Sequence, residues 1–132
     1  MLHEWLRDYR QIEDDISYLE FELDRYKKEL KRWVSGDLKN VKLQHDSLGS
    51  RVEDNIEKVK KDLAFKRKQK NDLIKLVRKF NGLENKILIM KYIDGMTLET
   101  ISEELHYSPS YIYKKHTEII KRIKLAEQLN TS

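Results

Sequence analysis

The chain has 132 residues, 39% hydrophobic and 38% charged, with a formal net charge of +4. That is too apolar for a disordered tail and lean for a globule, with room for one ordinary domain or a small domain plus an extended element. The absence of cysteine excludes a disulfide framework and thiolate metal sites, and the longest apolar run, "ILIM" at Ile87–Met90, is far too short to span a membrane.

One proline and four glycines point to long helices with few turns. The start, "MLHEWLRDYRQIEDD", lacks an apolar run followed by a small-residue cleavage site, so a soluble cytoplasmic protein is expected. Charge is uneven along the chain. Residues 1–35 are slightly acidic, residues 36–83 carry 13 Lys/Arg against 7 Asp/Glu, and residues 84–132 are balanced. The basic middle is either a nucleic-acid surface or a solvated helix face answering an acidic partner helix.

The first 33 residues carry apolar or aromatic side chains at Leu2, Trp5, Tyr9, Ile12, Ile16, Leu19, Leu23, Tyr26, Leu30 and Trp33, in alternating steps of three and four. This heptad pattern predicts one long helix packed along a stripe, spanning roughly 50 Å at about 1.5 Å per residue. It requires a partner to cover the seam.

A loop is expected at about 35–50, where "SGDLKNVKLQHDSLGS" holds two glycines and no sustained period. A second stripe follows at Val52, Ile56, Val59, Leu63, Lys66, Lys70, Leu73, Val77 and Phe80. In an antiparallel hairpin Trp33 meets Val52 and Trp5 meets Phe80. Lys66 and Lys70 then lie beside Leu19 and Ile16, within reach of Glu13, Asp15 and Glu20. A parallel homodimer of the first helix would instead set Asp8 near Glu13 and Asp15 near Glu20, like against like. Residues 1–82 are therefore expected to form a long antiparallel, coiled-coil-like helical hairpin that also mediates self-association as a homodimer.

Residues 83–132 are expected to form a second domain. "LENKILIMKYI" is an apolar-rich helix ending at Gly95. Thr97 can cap the next helix, with Glu99 near its N-terminus and Ile101 and Leu105 on its inner face. His106 stands where a helix stop with positive φ is needed. Ser108 and Pro109 then suit the N-cap and first position of a helix running to about Leu129. Ile112, Ile119, Ile120 and Ile123 face inward, while Ser110, Tyr113, Lys114 and Thr117 face outward. This is a helix-turn-helix whose second helix presents cations, hydroxyls and an aromatic ring, groups that meet phosphates and base edges in duplex DNA. The DNA-contacting set is Ser108, Ser110, Tyr111, Tyr113, Lys114, Lys115, Thr117, Lys121 and Arg122, with Lys121 and Arg122 on phosphates.

"MKYIDGMTLETISEELHYSPSYIYKKHTEIIKRI" resembles region 4 of bacterial sigma factors over residues 84–123. The whole chain is similar to small phage and prophage transcriptional regulators, the late-gene activators of the ArpU and RinA type, with "SGDLKNV" like that family's loop. The resemblance is specific over the last 40 residues and loose over the first 80. It implies an all-α protein that binds double-stranded DNA near a promoter and activates transcription in a bacterial host cell, with host RNA polymerase as a further partner. It also implies that Ser110, Tyr113 and Lys114 read bases. The second helix lacks the family's usual arginines, so the target does not carry over. Lys115 occupies a position that is commonly hydrophobic.

The sequence offers no Gly-rich phosphate loop, nucleophile elbow or metal motif, and the "EDD" cluster at Glu13–Asp15 lies beside the seam rather than in a cleft. His3, His45, His106 and His116 show no ligand spacing, so no enzyme activity, metal or cofactor is expected. Two rival functions share these features: a phage small-terminase-like DNA-packaging subunit, and a sigma-like protein that binds RNA polymerase with little affinity for DNA alone.

Overall fold

A computed structural model describes residues 1–36 and 45–131, and all regular structure in them is helical. The helices are α1 (Leu2–Arg7), α2 (Tyr9–Val34), α3 (His45–Arg78), α4 (Gly82–Leu88), a π-helical turn (Ile89–Ile93), α5 (Leu98–Leu105) and α6 (Pro109–Thr131). Part of the expected loop is helix, since α3 begins at His45; the rest, residues 37–44, lies outside the described residues.

The seam is not one uninterrupted helix. The chain departs from helical geometry at Asp8 (φ −94°, ψ 7°), whose N–H is shared between the Glu4 and Trp5 carbonyls. Before the break, Leu6 is fully buried while Leu2 and Trp5 are half-buried. α1 thus turns a different side inward from the one that the heptad count selects. Its contacts explain the change: α1 packs on α6, and the Leu2 N–H donates to the Glu127 carboxylate.

Grouped by contacts, the chain divides into Met1–Glu13 with Gln69–Ser132, and Asp14–Lys68.

In the Asp14–Lys68 unit, Ile16 and Trp33 from α2 and Val52, Ile56, Val59 and Leu63 from α3 are buried. Trp33 clusters with Val52 and Ile56, and Leu23, Tyr26 and Leu30 pack around them. Lys66 pairs with Asp15 at 3.0 Å and Arg67 with Glu20 at 3.3 Å. Early α2 therefore meets late α3, and late α2 meets early α3. Leu19 is half-buried rather than fully buried, because lysine at position 66 fills the seam less completely than a leucine would.

In the other unit, Tyr9, Ile12, Leu73 and Val77 join Ile87, Leu88, Tyr92, Ile101, Ile112, Ile119 and Ile123 as the core. Lys70 reaches Glu13 at 3.4 Å. Phe80, at the end of the second stripe, is half-buried beneath the Arg122 guanidinium, 5.2 Å from its ring centre. Asn85 Nδ2 donates to the Val77 carbonyl at 2.9 Å and fixes the step from α3 into α4. The apolar helix then widens into the π-turn, where the Asp94 N–H bonds the Ile89 carbonyl at 2.9 Å. Gly95 ends it at φ 76°, and the Arg10 guanidinium fills the space that a side chain there would need.

Thr97 caps α5 by accepting from the Thr100 N–H at 3.1 Å. At the other end His106 is the one non-glycine residue with positive φ among the described residues (φ 61°, ψ 39°). The Tyr107 N–H bonds the Ser102 carbonyl at 3.0 Å and the His106 N–H the Glu103 carbonyl at 3.4 Å, the bond pair that closes a helix on a left-handed residue. Ser108 Oγ then accepts from the Tyr111 N–H at 3.2 Å and starts α6. A side chain in left-handed backbone costs about 1–2 kcal/mol. His106→Gly should therefore raise stability by up to about 1 kcal/mol, and the β-branched His106→Val should lower it by about 1 kcal/mol or more. Urea denaturation of the two variants measures this; a destabilising Gly with a neutral Val would contradict it.

Candidate nucleic-acid interface

The inward and outward faces of α6 follow from helical spacing. Ile112 and Ile119 are fully buried, with Ile120 and Ile123 nearly so, and Ile101 of α5 is buried as well. Ser102 is also buried, its hydroxyl donating to the Glu99 carbonyl at 2.6 Å, and its small side chain permits close helix contact. On the opposite side Ser110, Lys114, Thr117 and Lys121 recur at intervals of four, three and four, so they share one stripe, and all are exposed. Lys114 and Lys121 have no ion-pair partner among the described residues. They are cations ready to meet an anionic surface.

The remaining expected contact residues are more engaged. Ser108 serves as the cap, and Thr117 Oγ1 donates back to the Tyr113 carbonyl at 2.9 Å. The Tyr113 hydroxyl donates to Glu99 Oε1 at 2.9 Å, which ties α5 to α6 across the turn. That bond to a carboxylate is the main reason its phenol titrates above the ordinary range. Tyr111 stacks on Tyr107 with ring centres 5.1 Å apart, and Lys115 Nζ lies 5.7 Å from the Tyr111 ring centre, near Glu118. Arg122 is held by Glu84 and Phe80, about 80° around the helix from Lys114. Its guanidinium is therefore committed to α4, and Lys121 is the cation at that level of the exposed stripe.

The α2 seam residues Tyr9, Ile12, Ile16 and Trp33 are buried, and Trp5, Leu19, Leu23, Tyr26 and Leu30 are half-buried. Tyr18, Phe21 and Phe65, none of them in the heptad pattern, are exposed instead.

Sequence reading did not find a second cluster. A cavity of about 580 Å³ is lined by His3, Arg7, Arg10, Lys91, Tyr92, Gly95 and His116. The Tyr92 hydroxyl and His116 Nε2 share a 2.7 Å hydrogen bond. Burial, aided by Lys91 and His3, lowers the His116 pKa, and burial, aided by Lys124 and Arg7, lowers that of His3 against the opposing pull of Glu127 and Glu4. Burial raises the Tyr92 pKa, so it remains a phenol. The one signal in the sequence is the spacing of Arg7 and Arg10, three apart and therefore neighbours on a helix face.

No group of His, Cys, Asp or Glu able to hold a metal ion occurs among the described residues, and no helix there is long and apolar enough to cross a membrane. No family model, curated protein or solved structure matches the chain.

The two histidines make stability depend on pH. Both resist protonation in the folded chain, whereas in the unfolded chain they titrate near 6.5. Their contribution is complete above that value and is lost as pH falls from 6.5 through their lower folded values. The melting temperature should accordingly drop between pH 7.5 and 5.5, and His116→Gln should reduce the drop. Circular-dichroism melts across that range check this; equal slopes for the two proteins would contradict it.

Proposed function

We propose that the chain is a double-stranded DNA-binding transcriptional regulator of the phage late-gene activator type, acting near a promoter in the cytoplasm of a bacterial host. In this reading α5, the turn at His106 and α6 form a helix-turn-helix of the sigma region 4 kind, and α2 with α3 forms an antiparallel helical hairpin. The observation that carries the reading is the division of α6 between a buried isoleucine face and an exposed Ser110–Lys114–Thr117–Lys121 stripe, directly after a three-residue turn. A helix held this way can enter the major groove with its first turns foremost. Lys114 reads a base edge, Lys121 meets phosphate, and Tyr113, braced by Glu99, sets the edge of the surface.

The protein acts as a homodimer, because a two-helix hairpin has little core of its own. The α2 seam is largely covered within the chain, so self-association draws on the exposed Tyr18, Phe21 and Phe65. Host RNA polymerase is the further partner that activation requires.

Binding-site selection from random duplexes, followed by fluorescence anisotropy, tests the reading. Lys114→Ala should lose about 1–3 kcal/mol on the selected site and less on random DNA. Lys121→Ala should weaken both alike and lower the salt slope by about one. A shift only with polymerase present would favour the sigma-like alternative, and a ring-sized assembly the packaging subunit. Loss of binding from neutralising Lys58 and Lys61, with Lys114→Ala silent, would move the DNA surface to α3.

A further inference from the structure

The cavity beside Gly95 has an unusual charge balance. Three side chains with permanent positive charge, Arg7, Arg10 and Lys91, line it together with His3 and His116, and no carboxylate does. None of the three has an ion-pair partner among the described residues, although Asp and Glu supply 23 residues of the chain. Several cations elsewhere do meet a carboxylate, Lys66 at Asp15, Lys70 at Glu13, Arg67 at Glu20 and Arg122 at Glu84, whereas these three share one concavity without one. Three cations around one concavity without a counter-charge make its potential positive and attract an anion.

Local structure brings these groups together. Arg7, the last residue of α1, and Arg10, in the first turn of α2, are three positions apart and line one concavity. The π-turn contributes Lys91 and Tyr92 in succession; such turns insert one extra residue and re-aim their side chains. Gly95 leaves room for the Arg10 guanidinium over the turn. The Tyr92–His116 hydrogen bond fixes the far wall. Burial, and then the surrounding cations, disfavours protonation of both imidazoles, and each ring carries an N–H donor. Glu4 and Glu127 act on His3 but do not line the cavity, and the Leu2 N–H bonds Glu127.

We propose that this cavity binds a multiply charged phosphate-type oxyanion, with Arg7, Arg10 and Lys91 as its charged ligands and His3 as a further N–H donor. Planar guanidinium forks match the paired oxygens of a phosphoryl group, and a volume of about 580 Å³ accepts more than a single phosphate. The phosphate is supplied either by a free phosphorylated small molecule or by the DNA backbone.

The experiment titrates inorganic pyrophosphate into the full chain and follows the imidazole C–H signals of His3 and His116 by NMR, with chloride at equal ionic strength as control. Saturable shifts of both rings are expected. Binding should weaken about tenfold or more in Arg10→Gln and in Lys91→Gln, as loss of a charge-assisted contact implies. Glu4→Gln, whose carboxylate faces His3, should not weaken it, and unchanged thermal melts certify the folds. Anisotropy with duplex DNA then separates the sources. If Arg10→Gln lowers affinity for random and selected duplexes alike, with or without pyrophosphate binding, the phosphate is the backbone's. If pyrophosphate binds and DNA affinity is unchanged, it is a free ligand's. The proposal is overturned if neither pyrophosphate nor DNA binding responds to Arg10→Gln and Lys91→Gln. That outcome leaves the α6 reading standing, because Lys114→Ala reports on it separately.

Discussion

At His106 the backbone enters the left-handed region, and the presentation of α6 depends on that one residue. The Tyr107 and His106 N–H groups close α5 on the Ser102 and Glu103 carbonyls, and within two residues Ser108 opens α6 by accepting from Tyr111. So short a reversal fixes the direction of α6 before any packing is considered. Ile112 and Ile119 then have one way to reach the core that holds Ile101, and Ser110, Lys114, Thr117 and Lys121 are left on the far side. The Tyr113–Glu99 bond braces the same junction from outside. An exposed stripe on an isolated helix would sample many directions; this one is held at both its start and its back.

A second constraint acts at Asp8. A seam read as one helix would carry Trp5 on its packed side, yet the chain breaks and buries Leu6 instead. α1 packs on α6, and Met1–Glu13, which includes the start of α2, groups with the last third of the chain. Arg7 and Arg10 stand on either side of the break and both line the cavity.

Much of the last third was legible in the sequence because each signal there is local. A threonine cap, a left-handed stop, a serine cap and a proline at the first helical position are decided within a few residues. The charge contacts between α2 and α3 were legible for a different reason. Two lysines interrupt an apolar stripe opposite an acidic segment, a pattern that favours antiparallel pairing, and Lys66 meets Asp15 and Lys70 meets Glu13. What the sequence hid is not local. The heptad count runs through Asp8 without a miss, and nothing in it shows that α6 competes for α1. The π-turn is likewise silent, since "ILIMKYI" reads as plain helix. Nor does the sequence show that Glu84 and Phe80 lie beside Arg122. Tertiary neighbours, not intrinsic propensity, set these arrangements.

The claim on which this account rests most heavily is that DNA meets the first turns of α6. Backbone amide shift mapping with a duplex carrying the selected site tests it without any substitution. The account predicts the largest perturbations at Ser110, Lys114 and Thr117, smaller ones at Lys121, and little change along Lys58–Arg67. Perturbations concentrated on Lys58–Arg67, with Ser110–Thr117 unmoved, would contradict it.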